Sequence, residues 1–222
     1  MKIEWDKVGE RTYETGVDHG VLYPQVGGAY PKGVPWNGLT SITESPSGAE
    51  DTPLYADNIK YLNLKSNEEL GLTVECYTYP KEWHACDGSA SIAEGVIAGQ
   101  QKRQNFGLSY RTRLGNDTDN DEYGYKLHLV YGCSASVSER GYSTVNDSPD
   151  AITFSYSITT TPVPVEGLRP TSLITIDSTK VNKDKLKELE DILYGTEGSG
   201  SGDGTDPKLP MPAEVVQMFA AG

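Results

Sequence analysis

The run YGYKLHLVYGCSASV, residues 123–137, alternates along its whole length. Tyr123, Tyr125, Leu127, Leu129, Tyr131, Cys133, Ala135 and Val137 fall on one side. Gly124, Lys126, His128, Gly132, Ser134 and Ser136 fall on the other. Successive side chains of an extended chain point to opposite faces, so this pattern requires a strand with one buried and one polar face. Upstream, FGLSYRTRL sets Phe106, Leu108, Tyr110 and Leu114 against Ser109, Arg111 and Arg113. The connector GNDTDNDEYG is dense in turn formers, which predicts a hairpin.

Further strands are expected in ELGLTVECYTY and ITFSYSITTTPV, with less regular ones in WNGLTSIT, LYADNIKYLNL and TSLITI. In the first, Glu69, Thr73 and Glu75 oppose Leu70, Leu72, Val74 and Cys76; in the second, Ser155, Ser157, Thr159 and Thr161 oppose Phe154, Tyr156 and Ile158. A sheet with such faces has a core on one side and water on the other. One helix is signalled, by Asn182 as N-cap, Val181 stapling onto Leu186, a Leu186, Leu189 and Leu193 stripe, and Gly195 as its stop. GTEGSGSGDGTD has the composition of a flexible linker. The chain thus divides into a β domain over 1–178, a helix over 179–195, a linker over 196–207 and a short apolar docking tail over 208–222. The fold class is mainly β and antiparallel, with one C-terminal helix.

At 222 residues with 36% apolar content, the chain can bury a substantial core. No apolar run approaches the roughly 18 residues that span a bilayer, and MKIEWDKVGER lacks the apolar stretch of a secretory signal. Three cysteines, an odd number, argue against a disulfide framework and fit a reducing cytosol. The net charge of −13, from 32 acids and 19 bases, repels nucleic acid.

The candidate chemistry is thin. HACD brings His84, Cys86 and Asp87 together, but zinc sites show a second ligand pair that is missing here; a short turn with a partly buried cysteine is expected. Asp117, Asp119 and Asp121 begin like a calcium loop, yet Glu122 and His128 stand where that loop needs glycine and an acid. No phosphate-binding or nucleophile-elbow pattern occurs. No catalytic residue, cofactor or metal is expected.

Several segments together point further: WDKVGERTYETGVDHGVLYP, GVPWNGLTSITESPSGAEDTPLYADNIKYLNLKS, YTYPKEWHACDG, FGLSYRTRLGND, YGYKLHLVYG and STVNDSPDAITFSYSITTTPVPV. They resemble the major tail tube protein of long-tailed, non-contractile bacteriophages, over about residues 5 to 195. The resemblance implies a β-sandwich or half-barrel that assembles into hexameric rings with a continuous inner β-barrel. Such rings stack into a tube around a tape measure protein, between tail terminator and distal tail proteins. The tube conducts the genome without binding it, and no membrane is involved. It implies a virion component built in the host cytoplasm.

The resemblance also places a ring-stacking loop at residues 44–57, with Glu44, Glu50, Asp51, Leu54, Tyr55 and Asp57 as its working residues. Ser45, Pro46, Ser47, Gly48 and Pro53 disfavour regular structure there, so a mobile loop is expected. Arg111, Arg113 and Lys102 are candidate partners for its acids. The lumen lining is expected from Glu69, Thr73 and Glu75, or from Ser155, Ser157, Thr159 and Thr161, with the choice open. Rival readings are a tube or terminator protein of a contractile tail or injection system, and a monomeric β-sandwich module binding a carbohydrate or receptor through Trp36, Tyr55 and Trp83.

Overall fold

The computed structural model describes residues 2–145, 147, 150–198 and 204–220. The chain is mainly β, 48% strand and 12% helix, with antiparallel sheets, as the alternation requires. Strands β1 (Thr12–Pro24), β2 (Val34–Pro35), β3 (Leu39–Gly48), β4 (Asp51–Ala56), β5 (Ile59–Lys65) and β6 (Glu68–Cys76) precede a short helix, α1 (Trp83–Asp87). Then follow β7 (Ala90–Ala93), β8 (Val96–Ala98), β9 (Phe106–Asn116), β10 (Asn120–Ala135), β11 (Phe154–Thr160) and β12 (Leu173–Asp177). Helices α2 (Lys183–Tyr194) and α3 (Pro212–Ala220) complete the described chain.

Eight strands form one sheet in the order β2-β1-β9-β10-β11-β6-β3, with β12 also beside β10. The expected β9–β10 hairpin closes through a turn in which Asn116 Oδ1 accepts from the N–H groups of Thr118 and Asp119. Strand β10 serves two partners on one edge: Lys126–Val130 pair with β12, and Cys133–Ala135 pair with β11. The change falls at Gly132, whose φ is +62°. A Cβ there would stand 2.1 Å from the Thr161 carbonyl oxygen, so only glycine fits.

A register shift between Val130 and Cys133 also reverses the pleat. Leu127, Leu129 and Tyr131 face the helices, whereas Cys133 and Ala135 join the core on the other side. The single apolar face expected over 123–137 is therefore corrected: the odd positions change sides at Gly132, because one extra residue inverts every side chain beyond it.

One core lies on the inner face, around Trp36, Trp83, Phe106, Tyr156 and the β6 residues Leu72, Val74 and Cys76. Helix α1 inserts Trp83 between Trp36, at 4.7 Å, and Tyr156, at 4.9 Å between ring centroids. The outer core forms where α2 lays Leu186, Leu189 and Leu193 on Leu127, Leu129 and Tyr131. Each such buried leucine contributes about 1.5–3 kcal/mol. Asn182 caps α2 by accepting from the N–H groups of Asp184 and Lys185.

The single helix expected is corrected to three, because α1 forms in HACD and α3 in the tail. The tail packs on its own subunit. Leu209 is buried, donates its N–H to the Tyr30 carbonyl and rests where Gly107 leaves room. Val215, Met211, Met218 and Phe219 extend the same core. Of the expected linker, residues 199–203 lie outside the described residues. Its flanks are tied together by reciprocal backbone hydrogen bonds between Thr196 and Thr205.

Candidate functional site

The outer face of the sheet is covered by helices only over its β1, β9, β12 and early β10 part. Beyond Gly132 no described helix covers it: Thr43, Ser157 and Thr159 are exposed, and Ser41, Thr73, Glu75 and Ser155 are half-buried. Register aligns Ser155 with Glu75, Ser157 with Thr73 and Thr159 with Gly71 across β11 and β6. It aligns Ser41 with Glu75, Thr43 with Thr73, Ser45 with Gly71 and Ser47 with Glu69 across β6 and β3. Ser134 pairs with Thr159 from β10. Directly opposed residues share a face, so the two alternative lining sets are one surface. Thr161 lies just past β11, its N–H on the Gly132 carbonyl. The surface is short hydroxyls with two carboxylates and contains no Lys or Arg among these positions. Ser41 donates to Glu75 at 2.8 Å, which holds that carboxylate against the sheet. The sequence missed the β3 contribution, although Ser41, Thr43, Ser45 and Ser47 already show a two-residue period.

The expected mobile loop at 44–57 is corrected to a β-ribbon. Residues Ser41–Gly48 of β3 pair with Glu68–Glu75 of β6, and Asp51–Ala56 pair with Ile59–Lys65 as a hairpin continuing the ribbon outward. Asp57 and Asn58, at φ +52° and +62°, make the tip; both residue types tolerate the left-handed conformation that such two-residue turns need. Pro46 is tolerated because β3 is the last strand of the sheet. Every residue of β4 and β5 is exposed, and the two pair with no other strand among the described residues. Leu54, Tyr55, Ile59, Tyr61, Leu62 and Leu64 are all open to solvent. A lone two-stranded ribbon is marginal in water, and clustered exposed apolar groups mark an interaction surface.

The acids assigned to that loop are distributed differently. Asp51 pairs with Lys65 and accepts from Asn63 within the ribbon. The Glu50 N–H is bonded to the Ser66 hydroxyl. Glu44 turns the other way, toward the inner face, and accepts from Tyr110. Arg111 and Arg113 are not free for them either, since both bind Asp18, at 3.0 and 3.2 Å. Lys102 is exposed and has no ion partner among the described residues.

On the inner face Glu44 belongs to a polar cluster. His128 is buried and stacks on Tyr110, with ring centroids 4.6 Å apart. Its Nδ1 lies 3.6 Å from Glu44 and its Nε2 3.8 Å from Glu14. Thr112 and Thr175 complete its surroundings, and Lys126 and Thr112 donate to Glu14. Burial outweighs the pull of Glu44 and Glu14 and lowers the His128 pKa below its ordinary 6.5. Burial would raise the Glu14 pKa, but the hydrogen bonds from Lys126 and Thr112 prevail and hold it below 4.5.

A pH dependence follows. The folded state keeps His128 neutral while the unfolded chain takes up a proton near pH 6.5, so this stability is complete above that pH and is lost as pH falls below it. Glu14 adds a loss only below about pH 4.5. Thermal melts should give a lower midpoint at about pH 5.5 than at about pH 7.5, and the slope should flatten in His128→Phe. An equal slope in wild type and variant would remove His128 as the cause.

The remaining sequence candidates do not converge. Cys86 is buried in the inner core, Asp87 pairs with Arg140, and His84 packs on Tyr79. Asp117 accepts from the Gly9 N–H, Asp119 from Asn116, and Asp121 faces Arg113. Among the described residues no three His, Cys, Asp or Glu side chains are placed to hold a metal. All three cysteines are free and buried. Trp36 and Trp83 are core residues while Tyr55 stands on the ribbon, so the three form no common platform. No helix among the described residues is long and apolar enough to cross a membrane. No family model matches the chain, and no curated protein matches it at a significant level.

Proposed function

We propose that this chain is a structural subunit of a phage tail tube. Hexameric rings, each with a half-barrel contribution from every subunit, stack into a tube that surrounds a tape measure protein and then conducts the genome. The rings lie between tail terminator and distal tail proteins in the virion and are built in the host cytoplasm. The observation that carries this reading is the hydroxyl and carboxylate face of β11, β6 and β3, which no described helix covers and which backs onto an apolar core and ends at the free edge of β3. A free edge of that length is an aggregation liability unless it is paired. Pairing around a ring removes the liability and closes the face into a channel. A lining with no Lys or Arg at these positions lets phosphates pass, because no fixed cation there competes for them. The segmental resemblance supports the same conclusion, and the exposed ribbon supplies a contact between rings.

The rival carbohydrate-binding reading is weakened by burial of its two tryptophans. Light scattering and negative-stain microscopy of the purified chain separate the two: rings or tubes are expected, and a strict monomer at high concentration overturns the tube. The lining makes a further prediction. Glu75→Lys with Ser157→Lys should leave tails of normal length but slow genome ejection, since each ring then presents cations to the phosphates. Normal ejection kinetics from such virions would mean that this face lies elsewhere.

A further inference from the structure

A cavity of about 520 Å³ opens at the end of α1, lined by Asp87, Arg103, Arg140 and Tyr156 among others. Two of its groups are buried without a partner. Tyr156 is 3% exposed, and its hydroxyl has no hydrogen-bond partner among the described residues. The Asp87 side chain is 7% exposed; its Oδ2 is paired with Arg140, and its Oδ1 has nothing. Leaving such groups unsatisfied costs about 1–3 kcal/mol each, so a native structure holds them for a reason.

Two cations stand at its mouth, Arg103 exposed and Arg140 with its side chain 32% exposed. The Arg140 guanidinium lies over the Tyr79 and Tyr156 rings, 5.9 and 5.6 Å from their centroids. Arg103 has no ion partner among the described residues. Its guanidinium carbon rests 3.3 Å from where a Gly88 Cβ would stand, and Gly88 has φ +86°. Glycine at that helix end therefore gives Arg103 its place at the cavity. Two guanidiniums against one carboxylate leave a single positive charge.

We propose that this cavity is a binding site for a carboxylate that carries a hydroxyl or N–H donor one or two carbons away. The carboxylate takes charge-assisted hydrogen bonds from Arg103 and Arg140 and the Tyr156 O–H, and the neighbouring donor satisfies Asp87 Oδ1. A monoanion neutralises the site; a phosphate dianion would meet the fixed charge of Asp87. Two sources present this pair: a small 2-hydroxy acid, whose hydroxyl is on the adjacent carbon, or an aspartate of a second copy of this acid-rich chain, whose backbone N–H is one carbon further away. The site stands independently of the tube reading.

The test is a calorimetric titration of the full chain with L-lactate. Saturable binding is expected in the millimolar range, with acetate and 1,2-propanediol about tenfold weaker or worse, since one lacks the donor and the other the charge. Arg103→Gln and Tyr156→Phe should each weaken lactate about tenfold. Neither should lower the melting temperature, because neither group has a hydrogen-bond or ion-pair partner among the described residues. Sedimentation velocity separates the sources: if a second copy supplies the carboxylate, Arg103→Gln or added lactate reduces self-association. Unchanged self-association with lactate binding assigns the site to a free acid. The proposal is overturned if lactate does not bind and self-association is insensitive to Arg103→Gln. It is equally overturned if lactate binds no better than acetate, or as well to both variants as to wild type.

Discussion

Replacing Leu54, Leu62 and Leu64 together by Ser should yield a folded subunit that cannot form the proposed tubes. The three leucines share one face of the ribbon, where Leu54 opposes Leu62 and Thr52 opposes Leu64. They are 42%, 38% and 54% exposed, and β4 and β5 pair with no other strand. Removing them subtracts nothing from either core, so stability should change by no more than about 0.5 kcal/mol. At a ring junction each leucine would bury its side chain for about 1.5–3 kcal/mol. Repetition around the ring multiplies that loss, so assembly should fail outright. Deleting 46–52 would be a poorer test. Pro46, Ser47 and Gly48 are paired with Leu70, Glu69 and Glu68, and that cut would damage the main sheet. Should the triple variant misfold, replacing residues 52–64 by Asn-Gly removes the ribbon while keeping a turn. Long tubes from either folded variant would show that the ribbon is not the stacking element.

How far this ribbon was legible is instructive. Pro46 and Pro53 read as loop signals, because proline lacks the N–H a ladder needs. They mislead here because β3 is an edge strand and the ribbon beyond it has only two strands. The better signal was local: apolar residues at Leu54, Leu62 and Leu64 flank Asp57-Asn58, a pair suited to a left-handed turn. Glu44 was equally readable, since it keeps step with Ile42, which packs against the inner core.

Other features rest on pairings that no local pattern encodes. The proposed lining looked like two alternative sets because Ser157 and Thr73 are far apart in sequence, and only the β11–β6 register joins them. The cap and leucine stripe of α2 depend on neighbouring residues and were visible at once. The docked tail needed the absent side chain of Gly107 to admit Leu209, a complementarity that composition cannot express. Gly132 is the sharpest case. In the alternation it occupies an ordinary polar position, yet the parity of everything after it depends on its backbone.

That dependence makes Gly132→Ala strongly damaging, at roughly 3–5 kcal/mol. Three losses combine. A left-handed φ costs a residue with a Cβ about 1–2 kcal/mol. The new Cβ also meets the Thr161 carbonyl oxygen at 2.1 Å, so the strand must shift. That shift strains two bonds centred on this residue, its N–H to the Tyr30 hydroxyl and its carbonyl to the Thr161 N–H, both 2.9 Å long. Two other glycines separate the contributions. Gly141 has a permitted φ and open space, so Gly141→Ala should be nearly neutral. Gly167 has φ +78° but also open space, so Gly167→Ala should cost only the backbone strain, about 1–2 kcal/mol. Urea unfolding of the three variants should therefore rank them Gly141, Gly167, Gly132 in rising cost. If Gly132→Ala is no worse than Gly167→Ala, the collision with Thr161 is relieved without loss, and the switch of β10 from β12 to β11 does not need glycine. If the ranking holds, the reason is parity. Without the bulge, Cys133 and Ala135 would leave the inner core, and Ser134 and Ser136 would be driven into it.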